Sequence, residues 1–277
     1  MKKLSAFVIT LLFAVLLTAC GSSDSSKSSD TKKEDKTITV GASPAPHAEI
    51  LEKAKPILKK EGYDLKIKII NDYTTPNRLL TEGELDANYF QHTPYLDTEK
   101  KSKGYKIESA GNVHIEPMAV YSKKYKSLKD LPNGAEVFVS NNPAEEGRFL
   151  SFFTKAGLIE LKKGTNPVKA TFKDIVKNDK NIKFNNKQAA EFLSKTYQNN
   201  EGAAVIINAN VALANKINPV KDSIVLEDKD TPYANLIAVQ EGHKDDAKIK
   251  ALVKALQSDD IVKFINDKYK GSVIPAK

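Results

Sequence analysis

The 277-residue chain has a single cysteine, so no disulfide can form within it in any compartment, and its stability has to come from packing. Its four histidines, His47, His92, His114 and His243, never fall at His-x-His or His-x-x-x-His spacing. Neither a G-x-S-x-G elbow nor a phosphate-cradling glycine loop occurs, so no metal, cofactor or catalytic residue is expected. Beyond the first twenty residues no apolar run approaches the length of a bilayer span. Blocks of one charge are also missing. Lys and Arg together number 43 against 35 Asp and Glu, a formal charge of +8, but the lysines are interleaved with acids. That pattern argues against nucleic acid and describes a solvated surface, with weak attraction to an anionic membrane face as the second reading.

What is present begins at the amino end. Lys2 and Lys3 precede an apolar stretch over residues 4–19, short of the ~20 residues that cross a bilayer comfortably, so residues 1–19 read as a removable signal peptide. The closing "LTAC" at 17–20 resembles a lipobox, which implies cleavage before Cys20 and diacylation of its thiol. Residues 20–36 are then the acylated cysteine and a flexible linker. "GSSDSSKSSDTKKEDK" has too little apolar surface to offset the entropy of ordering, and such a tether reaches roughly 20–25 Å.

From Thr37 onward strands and helices alternate, which predicts α/β architecture with mostly parallel sheets. "TITVGA" (37–42) and "LKIKII" (65–70) read as strands. Between them Ile50, Leu51, Ala54, Ile57 and Leu58 keep helical spacing until Gly62, with Pro56 expected to bend the helix. A turn at "NDYTTPN" leads to a helix through Leu79 and Leu80, then a strand at 85–90, a helix through Tyr95 and Leu96, and strands near 105–110 and 115–121. A second series follows: a strand at 136–140, a helix at 141–157 with Asn at its cap and Gly at its end, strands at 181–184 and 203–207, and helices starting near Lys187 and Asn208. A β-rich return at 233–240 and helices at 244–256 and 258–268 close the chain, the helices packing back on the first unit. The division expected is lobe 1 at 37–117, lobe 2 at 118–230, and a return to lobe 1 at 231–277. The two hinge crossings fall near 116–121 and 228–233. A single continuous α/β domain is the alternative from periodicity alone.

Six segments, "NDYTTPN", "DANYFQHTPYL", "VHIEPMAVYSKKYKSL", "NNPAEEGR", "INANVA" and "TPYANLIAV", together resemble the NlpA/MetQ family of lipoproteins, substrate-binding components of methionine ABC importers. The resemblance runs from about Thr37 to the C-terminus. It implies a two-lobed type II periplasmic-binding-protein fold with the ligand held between the lobes.

A free amino acid needs a cation for its carboxylate, oxygen acceptors for its ammonium, and a pocket for its side chain. Arg148 lies in the first turns of the 141–157 helix, where free N–H groups and the dipole already favour an anion, and its guanidinium can clamp a carboxylate with two hydrogen bonds. By resemblance it is the carboxylate ligand; by itself it reads as a solvated helix residue. Tyr73, Phe90 and Tyr95 match the aromatic walls of the side-chain pocket and His92 a polar pocket residue, although alone they read as core aromatics and an exposed histidine. Asn208 and Asn235, in isolation a helix cap and a turn former, are placed by the resemblance at the ligand's polar end. Register is open between Asn208 and Asn210, because "FNNKQAAEFLSKTYQNN" (184–200) departs from the family pattern. His114 and Glu116, two apart on a strand, read as the start of a lobe crossing and not as an acid–base pair.

The partners implied are methionine, a permease and, through it, a cytoplasmic ATPase, with the protein anchored by lipid on the extracytoplasmic face of the cell membrane. Alternatives are D-methionine, a methionine-containing dipeptide or another amino acid as ligand, or a surface adhesin in place of a transport protein.

Overall fold

The computed structural model describes residues 36–276; the expected signal peptide, Cys20 and all but the last residue of the expected linker lie outside them. In chain order the first elements are β1 (Thr37–Ala42), α1 (Glu49–Lys60), β2 (Asp64–Ile69), α2 (Thr75–Thr81), β3 (Ala87–His92), α3 (Thr93–Lys103) and β4 (Ile107–Ile115). Next come β5 (Ala119–Tyr121), β6 (Glu136–Ser140), α4 (Glu146–Lys155), the short strands β7 (Glu160–Leu161) and β8 (Ile175–Lys177), β9 (Lys183–Gln188), α5 (Leu193–Gln198), β10 (Ala204–Ile207), α6 (Ala209–Ala214), α7 (Pro219–Asp222) and β11 (Val225–Leu226). The chain ends with β12 (Ala234–Gln240), α8 (Ala247–Leu256), α9 (Asp259–Tyr269) and β13 (Ile274–Pro275).

Two sheets organise these elements. One has the order β13-β4-β12-β3-β1-β2 and the other β11-β5-β10-β6-β9. The chain leaves the first sheet at 116–118 and returns to it at 227–233. Each sheet is mixed, which corrects the expectation of mostly parallel sheets. The strands fed by βα units pair in parallel, β1 with β2 and β3, and β6 with β9 and β10. The strands beside the crossings run back antiparallel, β12 against β3 and β4, and β5 against β10 and β11. A strand entered straight from a crossing has no helix to carry it back to the starting edge, so it pairs antiparallel.

Side-chain alternation then builds a core on each face. On β12, Ile237 and Val239 join the cluster made with α1, α8 and α9, while Leu236 and Ala238 join Leu79, Leu80 and Leu96 on the other face. On β10, Ala204 and Ile206 pack with Phe149 and Phe153 of α4, and Val205 and Ile207 with Leu193 and Ala212. The terminal helices return to the first sheet through Leu252, Ile261 and Ile265. Pro56 sits exposed within the continuous α1, where its missing N–H falls on the solvent side.

Local predictions differ at three places. The residues expected as strands near 105–110 and 115–121 form β4 and then β5, and β5 belongs to the second sheet. Lys187 is inside β9, so the next helical turn starts only at Ala190. The 141–157 helix is a short turn at Pro143–Glu145 capped by the Asn142 side chain, then α4. Among the described residues no helix is long and apolar enough to cross a membrane.

Candidate functional site

The carboxyl ends of the parallel strands in both sheets lead to the same place, the position at which open α/β sheets accommodate ligands. β2 runs on to Tyr73, β3 ends in Phe90 and His92, β6 leads to Asn142 and Glu145, and β10 to Asn208. Together with Tyr95, Arg148 and Asn235 they line a cavity, also walled by Glu116 and Asn210. All seven residues expected at a ligand site, Tyr73, Phe90, His92, Tyr95, Arg148, Asn208 and Asn235, therefore line one cavity.

One end is aromatic. Tyr73, Phe90 and Tyr95 have ring centroids 5.8–6.4 Å apart in tilted and edge-on arrangements. The Tyr95 hydroxyl donates to the Tyr73 carbonyl at 2.8 Å, which fixes these walls relative to each other. His92 caps α3: its Nδ1 accepts the Tyr95 amide at 3.2 Å, so the ring proton resides on Nε2, 3.6 Å from Glu145 Oε1.

The other end is charged. Arg148 is 3% exposed, and its Nε and Nη2 donate to the Glu227 carboxylate at 2.9 and 2.5 Å while Nη2 also reaches the Glu116 carbonyl at 2.8 Å. Burial alone depresses this guanidinium, but Glu227 and Glu145 outweigh it and hold the group above the ordinary arginine range. Among the described residues only Nη1 of this side chain finds no hydrogen-bond partner, lying 3.8 Å from Glu145 Oε1. The two-bond edge of the guanidinium expected to clamp a carboxylate is thus already taken by Glu227, and Nη1 is the edge left without a hydrogen bond among the described residues.

Glu145 is 1% exposed at the start of α4 and accepts from Asn208 Nδ2 at 2.6 Å and Ser140 Oγ at 3.1 Å. Burial pushes its carboxyl up, yet His92, Arg148 and the Asn208 amide bring it below the usual carboxylate range, so it is ionised. Asn208 Oδ1 is buried and accepts no hydrogen bond from the described residues. Asn235 Oδ1 lies 3.0 Å from His47 Nε2. Asn210 is committed elsewhere: its main-chain N donates to Glu116 Oε2 at 2.9 Å and its Oδ1 accepts from the Tyr73 hydroxyl at 2.8 Å.

Behind this end lies a buried network that sequence reading did not assemble. His114 Nε2 is 2.7 Å from Glu116 Oε1, His47 Nε2 is 3.2 Å from the same oxygen, and the Tyr89 hydroxyl bonds His114 Nδ1. Burial lowers His47 to about 4 and His114 to about 3, and it raises Glu116 against the pull of His47, the Asn210 amide and Arg148. Each of the trio His47, His114 and Glu116 can offer a metal one ligand atom, these atoms lying within 4.8 Å of one another. The 2.7 Å separation is that of a hydrogen bond, shorter than the ~3.3 Å between two ligands of a tetrahedral zinc with bonds of about 2.0–2.1 Å. His47, Glu145 and Glu227 were missed because nothing in their local sequence marks them; tertiary folding alone brings them here.

Two α/β lobes joined by two crossings, with a cavity aromatic at one end and charged at the other, define a two-lobed periplasmic-type binding protein. The chain belongs to the NlpA lipoprotein family, whose profile matches residues 38–277. It is 51% identical over 277 residues, 99% of each chain, to the "Methionine-binding lipoprotein MetQ" of Bacillus subtilis strain 168. Among solved structures, a nutrient-binding protein from Burkholderia cenocepacia bound to methionine is 44% identical, with a TM-score of 0.82 over 87% of this chain and all of the other. A periplasmic substrate-binding protein of an ABC transporter from Coxiella burnetii is 36% identical, with a TM-score of 0.81 over 86% of this chain and all of that one.

Proposed function

We propose that this protein captures free methionine between its two lobes and delivers it to an ABC importer, as a binding protein and not an enzyme. The observation that carries the reading is the polar end of the cavity. Arg148 Nη1 offers N–H donors to a carboxylate, and the unpartnered Asn208 Oδ1 beside ionised Glu145 offers acceptors to an ammonium. Glu145 supplies a negative charge for the ligand's ammonium to face, while the ligand's carboxylate faces the Nη1 edge of Arg148. The three rings at the other end suit an apolar, polarisable side chain, since a thioether against an aromatic gains ~0.3–1.5 kcal/mol per contact.

In this reading lobe 1 comprises 37–117 with the return at 231–277, and lobe 2 comprises 118–230. Tyr73, Phe90, His92, Tyr95 and Asn235 come from the first, and Arg148 and Asn208 from the second. The ligand therefore touches both and stabilises the shut arrangement by its differential affinity. Cys20, acylated after cleavage of residues 1–19, holds the protein on the extracytoplasmic face of the membrane. The linker ending at residue 36 lets it reach the permease, which a cytoplasmic ATPase drives. Native mass spectrometry of gently purified protein tests the ligand: a retained mass equal to methionine supports it, and a different bound mass replaces it.

A further inference from the structure

Glu227 lies on the segment 227–233 that returns the chain to the first sheet, and its carboxylate holds both Arg148 and the other crossing. Its carboxylate takes Nε and Nη2 of Arg148 at 2.9 and 2.5 Å and accepts the main-chain N–H of Met118, on the other crossing, at 3.0 Å. Its own N–H donates to the Met118 carbonyl at 2.9 Å, so both crossings are stitched together at this residue. Glu116, also on the first crossing, takes Nη2 through its carbonyl, and the Tyr233 ring lies 4.3 Å beneath the guanidinium carbon. Arg148 lines the cavity and Glu227 does not, so the carboxylate stands behind the guanidinium as seen by a ligand.

We propose that Glu227 is the positioning residue of the ligand site: from the hinge it fixes the plane of Arg148 so that only the Nη1 edge meets the ligand carboxylate. This rests on the reading of the cavity as an amino-acid site. A planar guanidinium whose Nε and Nη2 are held by one carboxylate cannot turn about its last bonds, so its remaining edge is pre-aimed. The hinge and the carboxylate site become one unit, because any rotation of the 227–233 segment relative to 116–118 moves the groups that hold Arg148.

Replacing Glu227 by Gln keeps one oxygen acceptor but sets an amide N–H2 against the other Arg148 N–H, donor facing donor, so the guanidinium loses one of the two bonds that fix its plane. The test compares the whole chain with its Glu227→Gln variant by calorimetry, using L-methionine and L-methioninamide, which lacks the carboxylate. The variant is expected to bind L-methionine roughly tenfold more weakly and the amide less than about threefold more weakly, as for loss of one partner of a buried charge pair. Equal losses for both ligands, or none, overturn the proposal. A second readout needs no ligand: the Arg148 Nε–H, assigned in ¹⁵N spectra by its disappearance in Arg148→Lys, is expected to exchange slowly in the wild type and rapidly in Glu227→Gln. Unchanged protection overturns the positioning role. Should the wild type bind neither ligand, the amino-acid reading falls while the exchange measurement still decides what Glu227 does.

Discussion

The Tyr73 hydroxyl donates a 2.8 Å hydrogen bond to Asn210 Oδ1, joining the loop after β2 to the first turn of α6 across the cleft. Asn210 is gripped a second time through its main-chain N–H by Glu116 Oε2. In the proposed two-lobed reading Tyr73 is both an aromatic wall and a latch between lobes. Tyr73→Phe keeps the ring and removes the bond, worth about 1 kcal/mol net for a neutral pair. Calorimetry is expected to show methionine binding roughly fivefold weaker, because the shut state is less favoured. Undiminished affinity removes the latch.

Gly147 precedes Arg148 on α4, and a Cβ there meets the Pro167 carbonyl oxygen at 2.2 Å and that of Val168 at 3.0 Å. Both are main-chain atoms of a turn pinned by the Asn166 side chain, so neither yields as a flexible side chain does. Gly147→Ala is expected to lower stability by about 1–3 kcal/mol, as overpacking does, and to weaken methionine binding by shifting the first turn of α4. Denaturant titration and calorimetry read the two effects. A variant as stable as the wild type contradicts the close approach.

Acid should destabilise the protein through its buried histidines. His47 and His114 are depressed by burial from 6.5 to about 4 and about 3, so they stay neutral in the folded chain while the unfolded chain takes up their protons. Their contribution is fully present above pH 6.5 and is lost as pH falls towards 4 and 3, on the order of 3 kcal/mol for His47 and 5 kcal/mol for His114. Glu116, raised by burial, works in the opposite sense, since the folded chain binds its proton first as pH drops. With two groups against one, the net expectation is falling stability between pH 6.5 and 4, read by urea denaturation at stepped pH. His114→Gln should be less stable at pH 7 but show a shallower slope. A flat wild-type profile would count against the buried neutral pair.

The sequence made the elements legible where one physical signal dominated. β1 and β6 have the predicted bounds because each is a short apolar run ended by turn chemistry, and α1 follows its buried Ile50, Leu51, Ala54 and Leu58. Lys187 was misplaced because "KFNNKQ" carries almost no apolar alternation; its strand exists through pairing with β6. The antiparallel members of both sheets depend on which edge a crossing enters, a tertiary property absent from local pattern. The cavity residues were nameable only through family resemblance, since Tyr73, Phe90 and Arg148 are individually ordinary. Their carboxylate partners stayed invisible: Glu145 in "NNPAEEGR" looks like a helix-start acid, and Glu227 lies 79 residues from the arginine it holds.

Calorimetric titration of ligand-free protein with L-methionine, wild type beside Arg148→Ala, bears most directly on the central claim. One methionine per chain is predicted to bind the wild type. The variant, which loses the carboxylate's cation and leaves the Glu227 carboxylate without its counter-charge, should bind at least ~100-fold more weakly while keeping enough structure for a cooperative melt. Equal affinity in the two proteins, or no heat in the wild type, would contradict the account.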